Sequence, residues 1–323
     1  MKDKFTKGKH KEENTMSYTN SKIIGIDHGF GFTKTKNSTF QSGVAKLSSE
    51  PPIKENIVYY NGKYYQVGVS PEGIVSDKTA TEDYYILTLA AIAEELKQNH
   101  IISSEVTLAV GIPLTRYGAE KDAFKKYLSQ NEKVTYLYEG KEYHINIDPD
   151  VFIYPQGYAA ILPKLNAIKG SSFLVDIGTG TTEILPISGD KRIDLSKARS
   201  MQWGVSDAIA AVNEEISRQY GTTLLTDQIL DVMLMRETTI SPAIADIITG
   251  CIKGFCDDTL KLLRQNKVNY EITQTFFMGG GAGLLKKYGA GLNENSCIHF
   301  IDDIRVNAIG YEILAAASIK SGK

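Results

Sequence analysis

Apolar positions along this chain fall into short runs and spaced faces, with no long continuous stretch. Folding signals begin at Lys22. Ile23-Ile24-Gly25-Ile26 reads as a short buried strand ending at Asp27, and Gly29-Phe30-Gly31-Phe32-Thr33-Lys34 turns sharply and returns as a second strand. Val58–Tyr60 and Tyr64–Val67 flank Asn61-Gly62, a hairpin signal because Asn-Gly accepts the positive φ angles of a type I′ turn. Tyr85, Leu89, Ile92 and Leu96 share one face of an amphipathic helix. A strand follows over Val106–Val110, stopped by Gly111-Ile112-Pro113. A second hairpin turns at Glu139-Gly140, between Val134–Tyr138 and Tyr143–Ile147. Pro155 is expected to open a short helix through Ala159, Ala160 and Ile161.

A pattern then recurs. Phe173-Leu174-Val175-Asp176 is an apolar strand ending in Asp, followed by Gly178-Thr179-Gly180-Thr181-Thr182-Glu183 and another strand. The arrangement at Asp27 is the same: strand, Asp, Gly-x-Gly, strand. Two such units about 150 residues apart predict duplicated domains of ordinary size. Beyond the second unit, Val205, Ile209, Val212 and Ile216 share a helical face, and a long helix is expected from about Ala243 to Gln265. Phe276-Phe277-Met278 is a final core strand, Gly279-Gly280-Gly281 a turn, and Val306 to Ala316 a closing helix.

At 323 residues the chain has room for two domains, and 42% hydrophobic with 23% charged residues is an ordinary globular balance. A net charge of −2 lacks the basic excess of a surface that grips duplex DNA, so any nucleic-acid role is expected to run through an adaptor. Cys251, Cys256 and Cys297 form neither a CxxC pair nor a cluster with histidines. That argues against a Cys/His metal site and for a reducing, cytoplasmic setting. No apolar run approaches the roughly 20 residues of a membrane span. Residues 1–21 are polar and aperiodic and are expected to be a disordered tail, with Met16 an alternative start.

Each Asp-plus-glycine turn has a chemical reading. Glycines let backbone N–H groups approach phosphate oxygens and form an anion-binding nest, and the Asp beside them holds a hydrated Mg²⁺ through water. Lys34 lies on the returning strand, placed to reach the β- and γ-phosphates. Either turn alone is as well explained as a tight hairpin. Both together, with Gly279-Gly280-Gly281-Ala282-Gly283 offering a flat slot for an adenine ring, point to a nucleotide cleft. No turn reads GxGxxG within one strand–turn–helix unit and no GxxxxGK[ST] occurs, which excludes Rossmann and Walker sites.

These residues resemble the actin superfamily. Asp27-His28-Gly29-Phe30-Gly31-Phe32-Thr33-Lys34 is similar to its first phosphate loop, Asp176-Ile177-Gly178-Thr179-Gly180-Thr181-Thr182 to its second, and Met278-Gly279-Gly280-Gly281-Ala282 to its adenosine motif. Tyr154-Pro155-Gln156-Gly157 falls where the first interdomain connector lies and Asn307-Ala308-Ile309-Gly310-Tyr311 where the second lies, all in the family's order. Lys34 and Gln156 resemble the plasmid-segregation ParM proteins, above all their Gram-positive relatives. Chaperone ATPases would need a further domain, membrane-tethered division relatives an amphipathic terminal helix, and sugar kinases a cysteine cluster and catalytic Asp.

The resemblance implies an α/β fold of two ribonuclease-H-like domains flanking a cleft. Domain I would comprise 22–170 and 303–323, and domain II 171–302. ATP (or GTP) and Mg²⁺ would be held by Gly29, Phe30, Gly31, Phe32, Lys34, Gly178, Thr179, Gly180, Thr181, Gly279, Gly280, Gly281 and Ala282. Gln156 would orient a water for attack on the γ-phosphate. Asp27 and Asp176 could each hold the metal or the water, with Asp27 assigned to metal and Asp176 to both. The implied activity is ATP hydrolysis coupled to filament assembly, moving plasmid DNA through a centromere-binding adaptor of the ParR type. An MreB-like structural filament and a non-polymerising small-molecule kinase or phosphatase are the alternatives. Tyr59, Tyr64, Tyr84 and Tyr136 are explained equally by protomer contacts and by half-buried strand faces, and Trp203 is expected to pack in the core.

Overall fold

The computed structural model describes residues 21–71, 73 and 77–322. The tail expected over 1–21 lies outside these, except Ser21, which opens the first strand. That strand, β1 (Ser21–His28), is buried on both faces from Ile24 onward, as a central strand must be. It turns back through β2 (Phe32–Lys34) and β3 (Thr39–Gln41), and then come β4 (Gly43–Leu47), β5 (Ile57–Tyr60), β6 (Lys63–Val69) and helix α1 (Asp83–Lys97). Next are β7 (Ser103–Ile112), α2 (Tyr117–Leu128), β8 (Lys133–Tyr138), β9 (Lys141–Ile147), β10 (Phe152–Pro155) and α3 (Tyr158–Ile161). A second series begins with β11 (Ser172–Ile177), β12 (Thr182–Ile187), β13 (Arg199–Met201), α4 (Val205–Tyr220), α5 (Thr226–Met233) and α6 (Pro242–Gln265). It ends with β14 (Thr275–Met278), α7 (Gly280–Tyr288), β15 (Ile298–Phe300) and α8 (Val306–Lys320).

The repetition read in sequence is a repetition of topology. In one sheet β3, β2 and β1 are antiparallel neighbours, β7 runs parallel beside β1, and β10 runs parallel beside the C-terminal half of β7. In the other sheet the order β13-β12-β11-β14-β15 carries the same senses. The first sheet is extended from the N-terminal half of β7 by β9, β8, β5, β6 and β4. Helix α8 crosses β1 and β7 and packs on α3, burying Tyr311 and Ala315 with Ala109 and Ala159. The last helix thus returns to the first sheet.

Both hairpins form as expected. Asn61 and Gly62 have φ of 48° and 75°, and Glu139 and Gly140 have 52° and 78°, the positive pairs of two-residue loops. Three expectations need correction. Helix α1 does not present one apolar face: Ile86, Leu87, Ala90 and Ala91 are buried as fully as Leu89 and Ile92. It is wedged between the β4–β6 and β8 strands on one side and α2 on the other, so every face is covered. Pro155 ends β10 instead of opening a helix, because the chain continues parallel pairing to β7 as far as the Gln156 amide, which donates to Ile112 O at 2.9 Å. The turn at Gly279-Gly280-Gly281 is a single residue. Gly279 (φ 85°) supplies it, and Gly280 and Gly281 already belong to α7. Helices α2 and α5 escaped the sequence reading because each buries only two residues, Phe124 with Leu128 and Ile229 with Met233.

Tyr84 and Tyr136 are core residues, the latter donating its hydroxyl to Leu89 O at 2.8 Å, so neither is available to a partner. Trp203 packs on the second core, stacked on Phe255 at 5.3 Å and donating to Thr259 Oγ1 at 2.8 Å. No helix among the described residues is long and apolar enough to cross a membrane.

Candidate nucleotide cleft

The two Asp-bearing hairpins meet. Asp27, at the end of β1, sits opposite Lys34 in the β1–β2 ladder, and the side chains form an ion pair at 3.0 Å. Asp176, near the end of β11, sits in the matching place opposite Glu183 on β12. The tips of the turns are in contact: a Cβ on Gly31 would lie 2.2 Å from Thr179 Oγ1, so only glycine permits this approach. In the third turn, Gly279 has a backbone that L side chains avoid, and its Cβ would lie 2.5 Å from Asp176 Oδ1. Among the described residues the amides of Phe30, Gly31, Thr179 and Gly180 donate to no protein acceptor. Uncommitted amides in paired turns suit the oxygens of a bound anion.

Both chain crossings between the sheets reach these carboxylates. Gln156 follows β10 and donates Nε2 to Asp27 Oδ1 at 3.1 Å. A carboxylate only accepts, so the amide nitrogen faces it and Oε1 is left to accept from another donor. Asn307, in the first turn of α8, accepts from the Gly157 amide at 3.0 Å and donates to Asp176 Oδ2 at 3.4 Å. One side chain thereby links both crossings to the second Asp.

Between the sheets lies a cleft of about 500 Å³, within the usual range for a small-molecule site. Asp27, Gly29, Phe30, Phe32, Lys34, Gln156, Asp176, Gly178, Thr179, Thr181, Gly279, Gly280 and Ala282 all line it. Gly31, Gly180 and Gly281 do not. Gly31 is spent on the contact with Thr179, and Gly281 packs against the Ile177 side chain. The lining also includes the apolar Leu230, Met233 and Leu234 from α5 and its end and Phe300, Ile301 and Ile304, together with the charged Arg236 and Asp302.

Charge is distributed unevenly here. Burial alone would raise the Asp27 pKa, but the Lys34 ammonium, by charge and by hydrogen bond, and then Lys78 hold it below the usual carboxylate value. Burial, and next the charge of Asp27, push Asp176 up to about 6, against Lys34 and Asn307. Burial pushes Glu183 up to about 7; Ser200 Oγ, donating at 2.6 Å, works against this and the Asp176 charge adds to it. Two facing carboxylates, one lifted by the other, form a place that a shared divalent cation would stabilise. No cluster of three or more His, Cys, Asp or Glu gathers among the described residues, so such a cation would complete its shell with water and phosphate oxygens.

Comparisons with known proteins bear on the family and the fold. A family description of the actin-like protein N-terminal domain matches residues 25–158, and one of the archaeal actin homologue MreB-like C-terminal domain matches 174–288. The chain belongs to the actin superfamily. Among solved structures, an archaeal actin homologue in complex with ADP is 22% identical with a TM-score of 0.72, over 92% of this chain and 99% of that one. A 15-stranded ParM filament from Clostridium botulinum is 18% identical with a TM-score of 0.75, over 92% and 99%. An apo psk41 ParM protein is 17% identical with a TM-score of 0.66, over 94% and 99%. No curated protein sequence matches the chain.

Within this actin-like cleft, sequence reasoning passed over three residues. Glu183 was visible: it stands seven positions after Asp176, as Lys34 stands seven after Asp27. Asn307 lay inside the second connector motif without a role. Lys78 lies in no motif, and only the fold brings it into the cleft.

Proposed function

We propose that this actin-family chain is an ATP-driven polymerising ATPase whose filaments move plasmid or other replicon DNA in the cytoplasm through a separate DNA-binding adaptor. In this reading, residues 22–170 with 303–323 form one domain and 171–302 the other. The observation that carries the ATPase part is the meeting of the two Asp-bearing hairpins with Gln156 bonded to Asp27. The apolar side chains of the cleft lining take the base, and the uncommitted turn amides take the phosphates. Lys34 supplies positive charge at the phosphate chain. Gln156, anchored through Nε2, offers Oε1 to a water and orients it for in-line attack on the γ-phosphorus. Asp176, lifted to about 6, accepts that water's proton, while the bond from the γ-phosphorus to the β–γ bridging oxygen breaks and ADP leaves with that oxygen. Magnesium, bound with the nucleotide, supplies further neutralising charge beside Asp27 and Asp176.

Support for assembly comes from the fold shared with filament-forming ParM. A ligand that touches both sheets favours the closed shape, and that differential affinity is how a nucleotide would drive assembly. Light scattering and electron microscopy of the purified protein, with and without Mg-ATP, test this. Filaments above a critical concentration that shorten as phosphate is released are the expected result. A protein that stays monomeric at high concentration under every nucleotide condition would remove the filament reading.

One observation favours a second reading. Glu183 is a buried carboxylate on the cleft wall with one oxygen, Oε2, lacking any described partner. Such a group suits a non-polymerising kinase or phosphatase, where it would take a proton from an acceptor hydroxyl. ATP turnover that rises severalfold with a small hydroxylated acceptor, without filaments, would select this reading.

A further inference from the structure

Lys78 is a buried cation in the cleft that helps keep Asp27 ionised and to which no contact with the nucleotide is given above. It is the middle residue of a tight turn before α1. Asp77 Oδ1 accepts from the Thr79 amide at 2.8 Å and from the Thr79 hydroxyl at 2.7 Å, an Asx turn that faces Lys78 inward. The residue is only 7% exposed and lies in the cleft lining. Its ammonium donates to the carbonyl oxygen of His28, the neighbour of Asp27. It stands 5.4 Å from the centre of the Phe30 ring and 5.5 Å from that of Tyr84.

Among the described residues, no carboxylate lies within ion-pair distance of it, whereas Lys34 is already committed to Asp27. Of its three donors, one is used among the described residues. Burying an ammonium on one carbonyl and two ring faces is costly unless an opposite charge arrives. In agreement, burial brings the Lys78 pKa down to about 8, opposed by Asp27. The position also restricts the ligand. Lys78 is held by His28 and Phe30 on the first hairpin, while apolar side chains of the cleft lining come from α5, β15 and the segments that follow them. A molecule with its base among those side chains and its phosphates on the turn amides presents its terminal phosphate to the hairpins.

We propose that Lys78 is a specificity-determining arm for the terminal phosphate of a nucleoside triphosphate, an inference that rests on the nucleotide reading above. Its free donors take a γ-phosphate oxygen, and a diphosphate leaves them unpaired. Because the same residue centres the turn over 77–79, triphosphate binding also pins the entry to α1, which starts at Asp83. The protein thereby distinguishes ATP from ADP on the first-sheet side, at a loop outside both phosphate hairpins.

Calorimetric titration of the full chain with magnesium plus either a non-hydrolysable ATP analogue or ADP tests this, comparing wild type with Lys78→Met. Methionine keeps an apolar stem against the two rings and removes the charge. The variant should lose about 10- to 100-fold in affinity for the triphosphate, the factor carried by one charge-assisted hydrogen bond, with less than about a threefold change for ADP. Equal losses for both nucleotides, or no loss for either, overturns the assignment while leaving the cleft a nucleotide site. Wild type that binds neither nucleotide removes the nucleotide reading itself and the proposal with it. If circular dichroism shows Lys78→Met unfolded, hydrogen exchange on wild type decides. Amides over 77–82 should exchange severalfold more slowly with the triphosphate analogue than with ADP, and equal rates refute the proposal.

Discussion

Glu183→Gln should stabilise the nucleotide-free protein increasingly as pH rises. Glu183 is 5% exposed, and its carboxyl titrates at about 7 in the fold against 4.5 in the ordinary state. Between those values the native chain holds a proton that the unfolded chain has lost, so unfolding free energy falls as pH rises, by 1.36 kcal/mol per pH unit. The full interval of 2.5 pH units corresponds to about 3 kcal/mol of stability that is present below pH 4.5 and gone above pH 7. Glutamine keeps the acceptor for Ser200 Oγ and carries no charge. It also places an amide nitrogen where Oε2 lacks a partner, a cost that does not vary with pH. The stability difference between variant and wild type should therefore grow by about 2.5 kcal/mol between pH 5 and pH 8, whatever its starting value. Urea unfolding at constant ionic strength, extrapolated to water at each pH, measures it. Asp176 titrates in both proteins and largely cancels. A difference that is flat with pH, or that shrinks as pH rises, would show that Glu183 is ionised in the fold and refute the reasoning.

Gln156→Ala removes the Nε2 contact to Asp27 and the oxygen that orients water; ATP turnover should slow by about a hundredfold or more with nucleotide affinity nearly intact, and any filaments should outlast those of wild type. Unchanged turnover would mean that Gln156 is only a connector residue. Asp176→Ala should abolish hydrolysis or weaken Mg-ATP binding without loss of native circular dichroism, since it removes a carboxylate lifted by burial and by Asp27; wild-type ATPase in this variant defeats the assignment. Gly279→Ala forces a side chain into a left-handed backbone and against Asp176, so it should cost about 1–3 kcal/mol of stability in chemical unfolding and weaken nucleotide binding together. Loss of stability with untouched binding would separate that turn from the site.

The local code of this chain was legible because it is written in short-range rules. Asn61-Gly62 and Glu139-Gly140 dictate two-residue turns through backbone sterics alone. The strand–Asp–Gly-x-Gly unit could be read twice because each occurrence lies within a dozen residues, and its recurrence announced the duplicated five-strand order. Pro155 shows where such reasoning fails. Proline is compatible with a helix start and with a strand end, and the choice was made by parallel pairing to β7, a strand distant in sequence. Helix α1 likewise looked one-sided, because its own spacing cannot reveal that strands on one side and α2 on the other would cover it. In the cleft, a motif drew attention to a residue but did not give its contacts: Asn307 lay inside one without a role, and Lys78 lies in none. Asp27, Lys34 and Asp176 belong to the hairpins themselves. The bond from Gln156 to Asp27 spans 129 residues, that from Asn307 to Asp176 spans 131, and Lys78 reaches His28 across 50. Sequence by itself determined where the glycine turns fall, because turn geometry is local. Only the tertiary structure decided which charges face one another, because field and burial depend on distance in space, and folding brings together carboxylates and ammonium groups that the chain keeps apart.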